Sequence, residues 1–368
     1  MRVSNSMILI TVPNLLDQGG VANYYNSVLP FFPKEKVVAV EVGSGSRNGR
    51  LLHSVVDQFL FCSSVKNNQP DLVHINPSLG FKCLIRDGLF AWQSKLMGLP
   101  LLVFWHGWDK SFEEVLEKRF LWFFRRTFGR ADAHIVLASE FEQKLRHWGV
   151  DVAIYRETTN VADELIGEFD ISDKWSDWLN GGRERVKILF LARLERAKGV
   201  FETVEAVKLL NENGIAVSLT VAGDGAIRQE LEKYTRKDLG MDEQQVVFTG
   251  DIRGVDKVRV FIEHHVYCLP SYSEGLPASV LEAMAFGMPV VTRSVGGLAD
   301  IFVDEKMGRL VQEKRPHEIA ACLEWLINDR SRMVEIGRNN AVYAKENFMA
   351  SSVACRLSDI YVRIIPDM

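Results

Sequence analysis

The chain has no long apolar run. None of its hydrophobic blocks approaches the roughly 20 residues that a membrane-spanning helix needs. Paired cysteines are missing too. Cys62, Cys83, Cys268, Cys322 and Cys355 show no close spacing, and their number is odd. That excludes a disulfide framework and points to a reducing compartment. Charge of one sign is scarce: 44 Lys and Arg against 48 Asp and Glu leave a net charge of −4, no general reason for nucleic-acid binding. No close repeat and no low-complexity tract is present. The start, Met1 to Ser6 followed by Met7-Ile-Leu-Ile10, has an apolar block too short for a secretory leader, and Pro13 ends it. It reads as a buried strand, and the expected location is cytoplasmic.

Hydrophobic residues make up 47% of the 368 and charged residues 25%, the balance of a globular chain long enough for two domains. Short apolar runs alternate with amphipathic stretches, the pattern of parallel α/β units. In the first half the spacing predicts strands at Met7–Val12, Val37–Val42, Leu72–Ile75, Leu101–Trp105 and His134–Leu137, with helices over Leu89–Met97 and Glu113–Thr127. In the second half strands are expected at Val186–Leu191, Ser218–Ala222, Val246–Thr249, Val266–Leu269 and Val290–Thr292. Helices are expected near Val200–Asn213, Ala226–Thr235 and Pro277–Phe286. Two successive sets imply two Rossmann-like domains. The polar, weakly periodic segment from Asn160 to Arg185, with its Asn180-Gly-Gly-Arg183 turn, is the expected junction. Trp175 and Trp178 within it are expected to pack on a domain surface. Ser331–Ile365 reads as helix throughout, with Ala341, Val342, Ala344 and Phe348 on one buried face.

The densest chemistry lies in Tyr272-Ser-Glu-Gly-Leu-Pro-Ala-Ser-Val-Leu-Glu282. Glu274 precedes an expected helix start and Glu282 falls in its second turn. Carboxylates only accept hydrogen bonds, so they suit the vicinal diols of a sugar or ribose. The N–H groups of Gly275 and Leu276, with Pro277 opening the helix and Ser279 in its first turn, suit anionic oxygens. Taken singly, Glu282 is equally a helix-surface charge and Glu274 a partner of the helix dipole. Arg193 and Lys198 follow a strand end, where open α/β sheets place ligands. One offers a fork and the other a point charge, as a diphosphate requires; the plainer reading is a solvated basic turn. Gly223-Asp-Gly225 closes another strand. Its spacing is not that of a dinucleotide fingerprint, and a tight turn beside the site is the favoured reading.

The first half is less explicit. Gly19-Gly20 follows the first strand and opens a helix, as an anion-binding turn or a plain one would. His106 and Asp109 end another strand, where site residues belong. Glu117 to Arg130 is rich in aromatics flanked by Lys118, Arg119, Arg125, Arg126 and Arg130. The favoured reading is a buried helix with charged ends. The sharper one is a peripheral membrane contact.

Taken together, Ala192-Arg-Leu, Lys198-Gly199, Ala222-Gly-Asp-Gly225, Pro270-Ser271, Glu274-Gly275, Leu281-Glu282-Ala283, Gly287-Met-Pro-Val290 and Gly296-Gly297 resemble glycosyltransferase family 4, the retaining, group 1 transferases. The resemblance is specific over Val186–Val311. It is looser in the first half, where Gly19-Gly20, His106-Gly107, Ala131-Asp132 and Ala138-Ser139 follow in order. It implies a GT-B fold: two Rossmann-like domains facing across a cleft, with the last helix crossing back. The expected division is 1–165 with 350–368 on the acceptor side, and 166–349 for the nucleotide sugar. By resemblance, Glu282 holds the donor ribose, Glu274 contacts the donor sugar, and Arg193 and Lys198 neutralise the diphosphate. Gly19 and Gly20 border donor and acceptor, and His106 lies near the transferred sugar. Arg253, Gly223, Gly275, Leu276, Pro277 and Ser279 complete the expected donor site, and Glu274, His106, Arg193 and Lys198 the catalytic set. Three departures stand out: Ala192 replaces a usual glycine, Thr158-Thr-Asn160-Val161 replaces a usual Pro-Asn-Gly, and Asp300 replaces Glu.

No Asp-x-Asp occurs, the motif with which many transferases hold a metal. Transfer is therefore expected to be metal-independent and without cofactor, with retained anomeric configuration. The resemblance implies attack on the face the leaving group departs from, so Glu274 orients rather than attacks. The cationic pair argues against a paired-carboxylate hydrolase. A UDP- or GDP-linked sugar is the expected donor, and a saccharide or polyprenyl-linked saccharide of cell-surface polysaccharide synthesis the expected acceptor, at the inner face of the membrane. The alternatives are a nucleotide-sugar epimerase, which turns over without an acceptor, and a non-catalytic partner of the same fold.

Overall fold

The computed structural model describes residues 6–16, 19–43, 50–167, 169–180, 185–313 and 315–365. Gln18, the Gly181–Arg183 turn and the Trp178 side chain lie outside the described set. The chain divides into two compact units, 1–160 with 350–368 and 161–349.

The first unit runs β1 (Ile8–Val12), α1 (Gly20–Val28), β2 (Val37–Glu41), α2 (Arg50–Asn68), β3 (Leu72–Ile75), β4 (Ser78–Leu79), α3 (Phe81–Leu96), β5 (Leu101–Trp105) and β6 (Gly107–Trp108). Then come α4 (Lys110–Val115), α5 (Leu121–Arg126), β7 (Ala133–Val136), α6 (Ser139–His147) and β8 (Ala153–Arg156). Six strands form a parallel sheet in the order β2-β1-β3-β5-β7-β8, and β4 pairs with β6. The strand order reverses between β1 and β3. β1, β3, β5 and β7 are buried along their full length, which is why they read as continuous apolar runs.

The second unit runs α7 (Asp163–Ile166), α8 (Ile171–Asn180), β9 (Val186–Leu191), α9 (Val200–Glu212), β10 (Val217–Ala222), α10 (Arg228–Lys233), β11 (Val246–Gly250), α11 (Gly254–Glu263) and β12 (Val266–Leu269). It continues through α12 (Ala278–Ala285), β13 (Val290–Thr292), α13 (Leu298–Ile301), β14 (Gly308–Leu310), α14 (Pro316–Ile327) and α15 (Arg330–Asn347). Its parallel sheet has the order β11-β10-β9-β12-β13-β14, reversing between β9 and β12. The final α16 (Ala350–Ile364) returns to the first unit, where Arg356 Nε lies 2.9 and 3.2 Å from the two oxygens of Glu157.

The units part between Asn160 and Val161, five residues before the expected 165. Asn160 Nδ2 donates to Tyr24 O in the first unit at 3.0 Å, while Val161 N donates to Phe348 O in the second at 2.8 Å. The expected C-terminal helix is two helices, broken at Phe348-Met349 where the chain changes unit. Of its expected inward face Ala344 and Phe348 are buried, whereas Val342 is 59% exposed; Met333, Ile336, Gly337 and Asn340 are buried with them. Trp175 is buried and packs against Gly337, where an added Cβ would come within 2.8 Å of the indole.

Glu117–Arg130 mostly builds core. Phe124 and Phe128 are fully buried and lie 6.0 and 5.0 Å from the Trp105 ring. A π-helical stretch at Leu116–Phe120 separates α4 from α5, so the expected single helix is interrupted. Helix α3 starts at Phe81, two turns before the expected Leu89. Gly88 breaks its pattern because Phe123 occupies the space a side chain would need, with the ring 2.6 Å from an added Cβ. No helix among the described residues is long and apolar enough to cross a membrane.

Candidate functional site

In open α/β sheets ligands bind beyond the strand C-termini where strand order reverses. In the second unit that point is occupied by the loops after β9 and β12. They are tied to each other: Tyr272 N and Ser271 Oγ both donate to Ala197 O, at 2.8 and 3.2 Å. Gly199 sits at φ 75°, and a Cβ there would lie 2.8 Å from Pro270 O, so only glycine permits the approach. The result is Lys198 Nζ 2.7 Å from Glu274 Oε1, with side chains only 15% and 11% exposed. Two residues expected to meet different parts of the donor, its sugar and its diphosphate, thus hold each other. The ammonium keeps further donors, and the carboxylate its second oxygen, for a ligand.

Glu282 has a cation of its own. On α12 it is buried, and its Oε1 lies 2.7 Å from Nζ of Lys257 on α11. Lys257 escaped the sequence reading; its only signal was a position one helical turn beyond Arg253. The other cations sit apart. Arg193 is 76% exposed and pairs with Glu195 at 3.1 Å, and Arg253 pairs with Asp251 at 2.9 Å. Arg193 therefore shares no carboxylate with Lys198.

The glycines of this region pack loops. An added Cβ on Gly223, at φ 131°, would lie 2.0 Å from Ala192 O, and one on Gly225 2.3 Å from Leu194 O. Gly297 N donates to Gly275 O at 2.6 Å, which fixes the turn ahead of Leu276 and Pro277. Pro277 is the N-cap residue of α12. Ser279 Oγ lies 2.7 Å from the buried Tyr267 hydroxyl, which also reaches Leu191 O at 2.8 Å and so ties α12 to β9 and β12.

In the first unit the reversal between β1 and β3 opens on a cavity of about 260 Å³. Gly19, Gly20, Gly43, Asn76, Cys83 and Arg86 are among its lining residues. Arg86 makes a two-point contact with the buried Asp87, at 2.7 and 3.1 Å. His106 lies beside Asn76, not in isolation. Asn76 Nδ2 donates to Thr11 O at 2.7 Å, which turns Oδ1 toward Tyr25 OH at 2.7 Å and His106 Nε2 at 3.0 Å. An amide oxygen only accepts, so His106 carries its proton on Nε2. Tyr25 has spent its proton on Asn76 and accepts from His74 Nε2 at 3.4 Å. His74 Nδ1 in turn accepts from Tyr361 OH of α16 at 2.8 Å. Burial, with His74 adding to it, lowers His106 to about 3; burial alone lowers His74 to about 3. Both imidazoles are neutral at neutral pH. Asp109 is not part of this group: it caps α4, Oδ1 accepting from Ser111 N at 2.9 Å.

Comparison with known proteins bears on both units. Residues 174–342 match the family model described as glycosyl transferases group 1, and residues 31–156 the glycosyl transferase 4-like domain. An uncharacterized glycosyltransferase of Methanocaldococcus jannaschii is 32% identical over 200 residues, 53% of this chain and 50% of that protein. The sulfoquinovosyl transferase SQD2 of Arabidopsis thaliana is 30% identical over 162 residues, 43% of this chain and 30% of its own length. The match thus spans half or less of these two relatives. Among solved structures, a sucrose-phosphate synthase from Thermosynechococcus elongatus superposes with TM-score 0.78 at 18% identity, covering 97% of this chain and 98% of that one. Anabaena HepE in complex with UDP-glucose gives 0.74 at 17%, covering 97% and 100%. At these identities the superpositions establish the fold. With one model matching each unit, the chain belongs to the family-4-like glycosyltransferases of GT-B fold.

Proposed function

We propose that the protein is a retaining, metal-independent glycosyltransferase. It moves a sugar from a nucleotide-sugar donor to a saccharide or lipid-linked saccharide in cell-surface polysaccharide synthesis, at the cytoplasmic face of the membrane. The observation that carries this reading is the Lys198–Glu274 pair at the sheet reversal of the second unit. Relatives named for teichuronic acid, capsular polysaccharide and amylovoran biosynthesis support the polysaccharide context. The UDP-glucose bound by HepE supports a nucleotide sugar as donor.

In this reading the donor's ribose donates to Glu282, whose charge Lys257 balances. Its diphosphate takes hydrogen bonds from Lys198, from the exposed Arg193 and from the loop amides around Gly275. Its sugar hydroxyls donate to the second oxygen of Glu274. The bond from the anomeric carbon to the diphosphate breaks, and negative charge grows on the leaving oxygens. Lys198 is already fixed beside them and stabilises that charge without reorganising. The acceptor hydroxyl bonds to the same face of the anomeric carbon, and its proton passes to the departing diphosphate. No nucleophilic carboxylate enters, so Glu274 orients. The cavity beside Gly19 and Gly20 receives the acceptor, and His106 presents its bare Nδ1 as an acceptor for a sugar hydroxyl.

A thermal-shift panel of UDP-, GDP- and ADP-linked sugars tests the donor assignment. One series should raise the melting temperature, and Glu282→Ala should abolish the shift. No shift with any of them sinks the proposal. Turnover of the stabilising donor that proceeds without an acceptor assigns an epimerase instead.

A further inference from the structure

We propose that the outward face of α3, flanked by α2 and by Trp122, docks the first unit on an anionic lipid surface. The idea extends beyond the transfer reading and stands on different residues. Phe81, Ile85, Leu89, Trp92 and Leu96 recur at helical spacing, while the opposite side of α3, Leu84, Asp87, Ala91 and Ser94, is buried. A helix on a sheet ordinarily turns charge outward. Here the outward stripe is apolar over four turns: Phe81 is 54%, Trp92 46% and Leu96 65% exposed. The stripe has neighbours of the same kind. Phe61 of α2 stacks on Phe90 of α3 at 4.7 Å, and the same α2 presents Val55 and Phe59 to solvent. On the other side Phe123 sits over Gly88, and the adjacent Trp122 is 59% exposed.

Charge identifies the occupant. Residues 54–68, 81–97 and 110–130 carry ten Lys and Arg against five Asp and Glu, in a chain whose net charge is −4. The acids are mostly withdrawn. Asp57 and Asp87 are buried, and Glu113 and Glu117 accept from the indoles of Trp108 and Trp148. Only Glu114 is well exposed, and it faces Lys118. Lys82, Arg119 and Arg126 enter no ion pair among the described residues, and Arg126 lies 5.8 Å above the Trp122 ring. Apolar and indole side chains ringed by cations match an interface of acyl chains and anionic headgroups. A second copy of this chain fits poorly, because a two-fold contact would oppose the same cations. The proposal also moves the membrane reading of the sequence. The aromatics of 117–130 mostly serve the core, and the apolar contact surface belongs chiefly to α3 and α2.

The test is co-sedimentation of the full chain with vesicles of phosphatidylcholine alone, or mixed with about one-third phosphatidylglycerol. Binding to the mixed vesicles, weak or absent on the neutral ones and released by salt, is expected. Trp92→Ser with Leu96→Ser should weaken it about tenfold or more, through lost apolar burial. Lys82→Gln with Arg126→Gln should weaken it about fivefold per charge removed. Melting temperature and the nucleotide-sugar thermal shift should stay unchanged in both double variants, which separates loss of docking from loss of the donor site. Equal binding to both vesicles, or to neither, overturns the proposal. So does light scattering that shows a dimer dissolved by Leu96→Ser, which assigns the face to a second copy.

Discussion

At the point where its strand order reverses, the second unit sets two lysine–glutamate pairs, Lys198–Glu274 and Lys257–Glu282. The first unit, at the equivalent point, sets an uncharged relay from Tyr361 through His74, Tyr25 and Asn76 to His106. The topology supplies the same location twice, and the chemistry installed there differs in kind. Fixed charge in a shielded site suits a step in which charge develops, as on a departing diphosphate. A neutral relay fixes ring orientation and tautomer while adding no field, which suits recognition of a neutral hydroxyl. The difference also separates stability from function. An ion pair that loses one member leaves a buried charge, whereas a relay that loses a member leaves an unmatched dipole.

The largest effect that would break this contrast is at Lys198. Lys198→Ala should lower transfer about 10²- to 10³-fold, the range for a lost preorganised donor to developing charge. It should also lower the melting temperature, because Glu274 is left unpaired. Lys198→Met with Glu274→Gln removes both charges and should restore stability without restoring transfer. Recovery of transfer in the double variant would make the pair structural. Arg193→Ala, at an exposed position, should reduce transfer and leave melting unchanged.

Gly223→Ala comes next, as a stability effect. At φ 131° and with Ala192 O 2.0 Å from an added Cβ, the site has room for no side chain. A loss of about 3 kcal/mol in chemical denaturation is expected, from backbone strain and displaced loops. A neutral outcome would show that the loop beside Arg193 is free to move.

A smaller effect is expected in the first unit. Asn76→Ala releases His106 and Tyr25 together. Transfer should fall about tenfold, while the nucleotide-sugar thermal shift, a property of the second unit, should persist. Tyr361→Phe breaks the relay at its far end and should have a weaker effect in the same direction. Loss of the thermal shift in Asn76→Ala would show that the units do not divide the substrate as proposed.

Much of the fold was legible. β3, β5, β9, β12 and β13 coincide with their apolar runs because strands buried on both faces have few polar positions. β8 was not legible: Ala153 and Arg156 are exposed at the sheet edge, so the segment carries no apolar run. β14, only Gly308-Arg-Leu, is too short to show a period. The charged half of the candidate site was legible as residue types, since Glu274 and Lys198 lie in loops with few other duties and Glu282 stands in the second turn of α12. Its pairing was not. Lys257 sits 25 residues before the carboxylate it meets, and nothing in a helical surface lysine marks it. The relay was hidden for a related reason. Tyr25, Asn76 and Tyr361 are each ordinary in sequence, and a separation of 287 residues between His74 and Tyr361 leaves no local signal.

The last predicted effect, at most about 1.4 kcal/mol for each pH unit, sharpens the contrast through pH. Lys174, on α8 of the second unit, is half-buried, and its ammonium donates to Phe261 O at 2.8 Å and Phe286 O at 3.1 Å. No carboxylate pairs with it among the described residues. Burial lowers it from 10.5 to about 7. Between about pH 7 and 10.5 the unfolded chain therefore binds more protons than the folded one, so stability rises with pH across that window and the burial penalty is complete below it. The buried histidines of the first unit, His74, His106 and His134, are each lowered from 6.5 to about 3. Their penalty grows as pH falls from 6.5 toward 3, a window shared by His264 and His265 of the second unit, which burial lowers to about 4 and about 3, but not by Lys174. Lys174→Met removes the alkaline term and leaves two carbonyls without a donor, a loss independent of pH. Its stability relative to the parent should thus decline as pH rises from 7 to 10, by at most about 1.4 kcal/mol per pH unit. Denaturation curves of parent and variant that stay parallel over that range would place the Lys174 ammonium in a solvated setting, and would remove the alkaline contrast between the two units.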